Sequence, residues 1–289
     1  MLVETFDYAV SNREQILSAI NFGEHELTFK KAKELWNNFE SSYDGESKSL
    51  VGIDSSWNFL PYQGFYVYAV DAVSMLGDGM YLVPPLFDVN LSTLTVKSGD
   101  EYVSSPELAL ESIGMDYEFQ QAKQCIGKAD QVLVDGSILA RYYDRKQRKE
   151  SSFYETAKQL MNQKGLLYVS KKSFSNLTLR GGFGDMFYFN RVSSEAGYSA
   201  PFVDRTGVTI TYARLAENSP CIKLEIPGTV SASEVEQLMG FLGIDSVDGY
   251  PYVLRLAHEK GKVSHDEMNK LANLLGLEVE LGGRQVLGE

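Results

Sequence analysis

Cysteine is scarce: only Cys125 and Cys221 occur in 289 residues, far apart, without a CxxC and without a histidine at ligand spacing. Neither a zinc site nor a disulfide framework is indicated, and such thiol usage fits a reducing compartment. Long apolar runs are missing too. No stretch approaches the roughly 20 residues that a bilayer span needs, and Met1-Leu2-Val3-Glu4-Thr5-Phe6-Asp7 lacks the basic start of a secretory leader. A cytoplasmic protein without membrane attachment is expected. Basic residues are outnumbered, 27 Lys and Arg against 39 Asp and Glu for a formal net charge of −12. A surface coated for non-specific nucleic-acid binding is thereby excluded, so any nucleic-acid site must be a local basic surface. What is present is ordinary for a folded chain, 44% hydrophobic and 23% charged. That balance excludes disorder and collagen-like repeats.

The apolar spacing predicts two helices between Asn12 and about Ser42, broken near Gly23, with Ile16, Ile20, Leu27, Ala32, Leu35, Trp36 and Phe39 on their buried sides. Three strands follow: Leu50 to Asp54, Gly64 to Met75, and Met80 to Val96. Pro106 opens a helix that Gly127 closes, with Met115, Phe119, Ala122 and Ile126 on one face. A strand at Gln131–Val134, a helix from Ser151 to Gln163 and a strand from Leu166 to Ser170 complete a β-β-β-α-β-α-β order. Between Phe174 and Gly228 the pattern gives strands at Met186–Phe189, Gly207–Leu215 and Cys221–Ile226, in no assignable order. Helices return from Ser231, Pro251 and Ser264, and no repeat or linker interrupts the chain. The expected architecture is α/β: a helical extension over 1–48, then a core over 49–289 made of an RNase H-like mixed sheet with flanking helices and a helical C-terminal part, within one domain overall.

Two apolar runs end in aspartate followed by small polar residues: Val51-Gly52-Ile53-Asp54-Ser55-Ser56 and Val132-Leu133-Val134-Asp135-Gly136-Ser137. A turn or capping role accounts for either aspartate alone. If their strands are parallel neighbours, however, both carboxylates emerge at one sheet edge, where burial demands a compensating cation. The β-β-β-α-β-α-β order is that of the RNase H-like fold, whose strand-end carboxylates hold two metals about 3.5 to 4 Å apart for in-line attack on a phosphodiester. Oxygen ligands favour magnesium or manganese. The intervening helix offers Glu107, Glu111, Asp116 and Glu118 as a third acid, though a solvated position on a charged helix face accounts for any of the four; Glu118 borders the apolar stripe, from which it can point toward the sheet. In Gly249-Tyr250-Pro251-Tyr252-Val253-Leu254-Arg255-Leu256-Ala257-His258, Pro251 suits a first helical turn and sets Tyr250, Leu254 and His258 along one face. A histidine there can protonate a leaving oxygen or contact phosphate, or simply be a satisfied core side chain. His265 is explained by a capping box of Ser264 and Glu267, and His25 by a polar helix. Lys171 and Lys172 end a strand near the acids, where one can neutralise a phosphate, and Arg141, Arg145, Lys146, Arg148 and Lys149 form the densest basic run.

These residues, with Tyr168-Val169-Ser170-Lys171-Lys172-Ser173 between the two aspartates and Gly-Tyr-Pro-Tyr leading to Ala-His, make an ordered set that resembles the NurA nucleases, which act in DNA end processing with the HerA ATPase. The resemblance implies an RNase H-like core and manganese-dependent DNA cleavage, as a 5′-to-3′ exonuclease and single-strand endonuclease. It implies Asp54, Asp135 and Glu118 as metal ligands, with magnesium an alternative ion, and Tyr250 and His258 as the C-terminal tyrosine and histidine. His258 is expected as ligand, proton donor or phosphate contact, and Lys171 as a phosphate contact. A homodimer enclosing DNA, single-stranded or at duplex ends, and a hexameric HerA-type partner are likewise implied. Ser55 departs from the family, which often has glycine there. Two other classes remain open: an actin-like nucleotide-binding ATPase or kinase, against which Ser55-Ser56-Trp57-Asn58 is no glycine-rich phosphate loop, and a non-catalytic scaffold for a DNA motor.

Overall fold

The computed structural model describes residues 1–18, 20, 25–39, 48–98, 101–143 and 151–277. Helices α1 (Val3–Ser11), α2 (Arg13–Ser18) and α3 (Glu26–Leu35) lead into β1 (Trp36–Asn38). A meander of β2 (Leu50–Tyr62), β3 (Phe65–Leu76) and β4 (Leu86–Ser92) is followed by the small hairpin β5 (Thr95–Ser98) and β6 (Glu101–Ser104). Then come α4 (Pro106–Cys125), β7 (Gln131–Asp135), α5 (Ile138–Tyr143), α6 (Ser151–Leu160), β8 (Leu166–Ser170), α7 (Asp185–Val192), β9 (Gly197–Ser199), β10 (Phe202–Val203), β11 (Thr209–Arg214) and β12 (Ile222–Ile226). The chain continues through α8 (Ala232–Ile244), the hairpin β13 (Ser246–Val247) and β14 (Tyr250–Pro251), α9 (Tyr252–Gly261) and α10 (His265–Leu274). Among the described residues, the main sheet has the order β1-β9-β11-β12-β8-β7-β2-β3-β4, with β10 also paired to β11. β7 runs parallel to both β2 and β8, and the remaining pairs are antiparallel. This is a mixed α/β fold.

Strand alternation divides the core into two layers. Val51, Ile53, Val132, Val134 and Tyr168 face one way and pack with Met115, Phe119 and Ala122 of α4. Leu50, Leu133, Leu167 and Val169 face the other way and pack with α8 and with Val253 and Leu254 of α9. Gly52 permits the second layer: a Cβ there would lie 2.3 Å from the Val253 carbonyl carbon and oxygen and 2.6 Å from the Leu254 nitrogen. Backbone cannot give way as a flexible side-chain end can. Gly52→Ala should therefore destabilise the fold by about 3 kcal/mol, the upper end of ordinary overpacking; a urea midpoint unchanged from the parent would refute this packing.

Several elements differ from the sequence expectations. Trp36 and Phe39 do not extend the helix. The chain leaves α3 at Leu35, and Trp36–Asn38 pairs antiparallel with Gly197–Ser199. Gly197 has no side chain to obstruct this, and a Cβ there would come within 2.7 Å of the Trp36 ring nitrogen. Tertiary pairing thus overrides helical period. Met186–Phe189, expected as a strand, lies in α7, where Asp185, Met186, Tyr188 and Phe189 are all buried; a helix enclosed on most sides presents an unbroken apolar run. The expected strand over 80–96 is divided between β4 and β5. The expected hydrophobic break near Gly23 lies outside the described residues.

Candidate functional site

Asp54 was expected at a strand end, yet β2 continues eight residues past it to Tyr62 as the long partner of β3. What ends at this point is the neighbour on the other side. β7 pairs with β2 only over Leu50–Ile53 and stops at Asp135. A fork opens in the sheet there, and the candidate residues collect around it.

On the α9 face, the carboxylate of Asp54 is buried, 8% exposed, and its Oδ2 lies 2.9 Å from His258 Nδ1. Asp135 shares the face of Leu133, two residues earlier in β7. Lys171, just past β8, donates from Nζ to Asp135 Oδ2 at 2.7 Å, and its ammonium sits 4.7 Å from the centre of the Tyr250 ring. The Tyr250 hydroxyl is buried beside the acids, and burial first, then the charges of Asp135 and Asp54, push its pKa up. Tyr250 belongs to β14 rather than to the helix, because Pro251 is the N-cap of α9 and not part of its first turn. Its place beside the acids is therefore set by the β13–β14 hairpin and not by helical period. The His258 side chain is 58% exposed at the rim of α9, so it is not a satisfied core histidine.

Glu118 approaches from the opposite face. Its α4 neighbours Glu107, Glu111 and Asp116 are exposed, while Glu118 is buried and turned to the sheet. Ser55, the β2 residue facing α4, donates from Oγ to Glu118 Oε1 at 2.6 Å, and Arg141 pairs with Oε2. The same Arg141 group donates to the Asp135 carbonyl oxygen at 3.1 Å. Ser55, the departure from the family pattern, thus holds an acid. Arg141, which sequence grouped with a basic run, is directed inward; Arg145, Lys146, Arg148 and Lys149 lie outside the described residues. Lys172 is exposed, His25 receives or donates a 2.9 Å hydrogen bond with the Tyr188 hydroxyl, and Ser264 and Glu267 do form the capping box beside His265.

The charge around the fork is not balanced. Burial first, then the charges of Asp135 and Glu118, push the Asp54 carboxyl up to about 7, against a smaller opposing effect of His258. Asp71, the cross-strand neighbour of Ser56 and unsuspected from sequence, is also pushed to about 7, chiefly by burial, with Asp54 and Glu267 adding. Folded Asp54 keeps its proton up to about pH 7 and the unfolded chain only to 3.8. The folded state therefore binds more protons between these values, and its stability falls as pH rises through that window. Asp54→Asn removes this effect. The metal-free variant should melt higher than the parent at pH 8, by on the order of 5 °C, and alike near pH 4; equal melting at both pH values would contradict the electrostatic reading.

Among the described residues, no three His, Cys, Asp or Glu side chains stand as a ready metal-ligand cluster, and Asp135 and Glu118 pair with the chain's own Lys171 and Arg141. The donor chemistry nevertheless fits a hard divalent cation: the acids offer oxygen, and the Asp54 carboxyl is raised by burial and by the charges of Asp135 and Glu118.

The model of the NurA domain matches residues 48–263 of the chain. The chain belongs to the NurA family. It is 22% identical to the DNA double-strand break repair nuclease NurA of Saccharolobus solfataricus over 315 residues, 91% of each protein. It is 23% identical to the probable DNA double-strand break repair nuclease NurA of Methanocaldococcus jannaschii, over 98% of this chain and 92% of that one. The fold is shared with the crystal structure of the NurA nuclease from Sulfolobus solfataricus, at a TM-score of 0.77 and 20% identity over 96% and 97% of the two chains. A crystal structure of NurA bound to dAMP and manganese superimposes at a TM-score of 0.62 with 12% identity, over 97% and 98%.

Proposed function

We propose that this NurA-family protein is a manganese-dependent deoxyribonuclease whose metal is held by Asp54, Asp135 and Glu118, with His258 at its side. The observation that carries this is the gathering of Asp54, Asp135 and His258 at the fork where β7 ends, with buried Glu118 turned toward the sheet from α4. When bound, the cation supplies neutralisation of phosphate charge and a nucleophile at neutral pH. His258 engages Asp54 through Nδ1, which leaves Nε2 at the exposed rim to carry a proton to a leaving oxygen or to bind phosphate. Lys171 offers a half-exposed ammonium to the substrate backbone, and Tyr250 backs it. Relatives named as break-repair nucleases support DNA as substrate, and a NurA structure bound to manganese supports that ion as the cofactor.

In this reading the β2-β3-β4-α4-β7-α5-α6-β8 succession is the RNase H-like core, residues 1–48 are its helical extension, and a HerA-type hexameric ATPase and a second copy of the chain are its partners. Cleavage runs 5′ to 3′ at DNA ends, with endonuclease action on single strands. No helix among the described residues is long and apolar enough to cross a membrane, in keeping with work on cytoplasmic DNA. Against an actin-like ATPase, residues 55–58 lie inside β2 and not in a phosphate loop. The test is single-stranded and duplex DNA labelled separately at 5′ and 3′ ends, incubated with manganese or with a chelator. Manganese-dependent release of 5′ label first is expected. Intact DNA under all conditions, with ATP raising the melting temperature, would replace the nuclease with the nucleotide-binding alternative.

A further inference from the structure

Arg141 touches a proposed ligand residue on each side of the sheet. Its guanidinium pairs with Glu118 Oε2 below the fork and donates to the carbonyl oxygen of Asp135 at the end of β7. Three features seat it there. Gly136 has φ +107°, and a Cβ at that position would lie 2.9 Å from the guanidinium nitrogen. The Phe119 ring, next to Glu118 on α4, lies 5.3 Å from the guanidinium carbon. Finally, the start of α5, which carries Arg141, is pinned by buried Glu225: Ser137 Oγ donates to it at 2.6 Å and the Leu139 nitrogen at 3.0 Å. With Ser55 on one oxygen and Arg141 on the other, Glu118 has both carboxylate oxygens held by the protein.

We infer that Arg141 is a positioning residue of the nuclease site, tying the helix acid Glu118 to the end of the strand that carries Asp135 and so fixing the separation of the acids across the sheet. This rests on the metal-dependent reading above. Both contacts come from one terminal nitrogen, Nη2, while the guanidinium carbon lies 5.3 Å from the centre of the Phe119 ring, a combination that the compact, strongly hydrated ammonium of lysine does not reproduce. Groups that orient metal ligands from behind are worth about 10–100-fold in metal affinity or activity.

The full chain and its Arg141→Met, Arg141→Lys and Gly136→Ala variants are compared by calorimetric titration with manganese, with near-UV dichroism as the check on folding and with kcat and KM on a short single-stranded DNA. Arg141→Met is expected to weaken manganese binding by about 10–100-fold and to lower kcat with little change in KM for DNA. Gly136→Ala, which alters no charge, should shift manganese binding in the same direction, and Arg141→Lys should fall between parent and Met. A purely structural Arg141 would change the melting temperature and leave manganese affinity at the parental value; that result, or tighter binding, overturns the inference. If Arg141→Met does not fold, the Lys variant decides, since parental affinity in it removes the need for the guanidinium. Failure of the parent itself to bind manganese would instead overturn the metal-dependent reading.

Discussion

Asp54→Asn should lower manganese-dependent cleavage of single-stranded DNA by about a thousandfold or more while making the metal-free protein more stable above neutral pH. The two signs come from one cause. Asp54 sits at 8% exposure, and burial first, then the charges of Asp135 and Glu118, raise its carboxyl to about 7. Without a metal the ionised form is a liability to the fold, and asparagine, of nearly the same shape, removes the charge. In the proposed metal site the same charge would be the reason for binding. A variant that is inactive because it is misfolded would melt lower, not higher, so paired melting curves and end-labelled cleavage separate the explanations. Retained cleavage in a folded Asp54→Asn would remove Asp54 from the site.

Glu118→Gln should also abolish cleavage, by at least about a hundredfold, but with the opposite effect on stability. Glu118 and Arg141 are buried together, 5% and 10% exposed at their side chains. Neutralising one partner strands the other cation in a poorly solvated place, a loss on the order of 3–5 kcal/mol. The amide can keep the Ser55 hydrogen bond, so the change isolates charge. Adding Arg141→Met to Glu118→Gln should return much of the lost stability, because an uncharged pair of similar volume no longer leaves a buried cation unpaired, and should return none of the cleavage. Denaturant titrations of the single and double variants give the coupling directly. Full additivity would show that the two side chains do not interact in solution.

The sequence made the central strands and both aspartates readable because buried parallel strands are short, continuous apolar runs, and Gln131–Asp135 and Leu166–Ser170 are of that kind. The apolar stripe of α4 favoured Glu118 only weakly among four acids, and the fold shows it to be the buried one. Three aspects were beyond its reach. The first is where β2 ends: Asp54 is marked not by the end of its own strand but by the end of its neighbour, a fact about pairing that no single run of residues records. Next, the inward turn of Arg141 depends on Gly136 at positive φ and on Glu225, which is distant in sequence. Last, Asp71 enters only through its cross-strand register with Ser56. Likewise Trp36 became a strand because Gly197 accepts its ring, and α7 concealed its period by being enclosed. Local pattern determined the elements, whereas long-range pairing determined which polar groups meet.

The account stands on carboxylates from two faces of the sheet serving one metal site where β7 ends. Crystals grown in manganese and measured at the manganese absorption edge test this most directly. Anomalous density bonded to oxygens of Asp54, Asp135 and Glu118 together is the predicted result. Density confined to Asp54 and Asp135, with Glu118 still held by Ser55 and Arg141 and bonded to no metal, would contradict it.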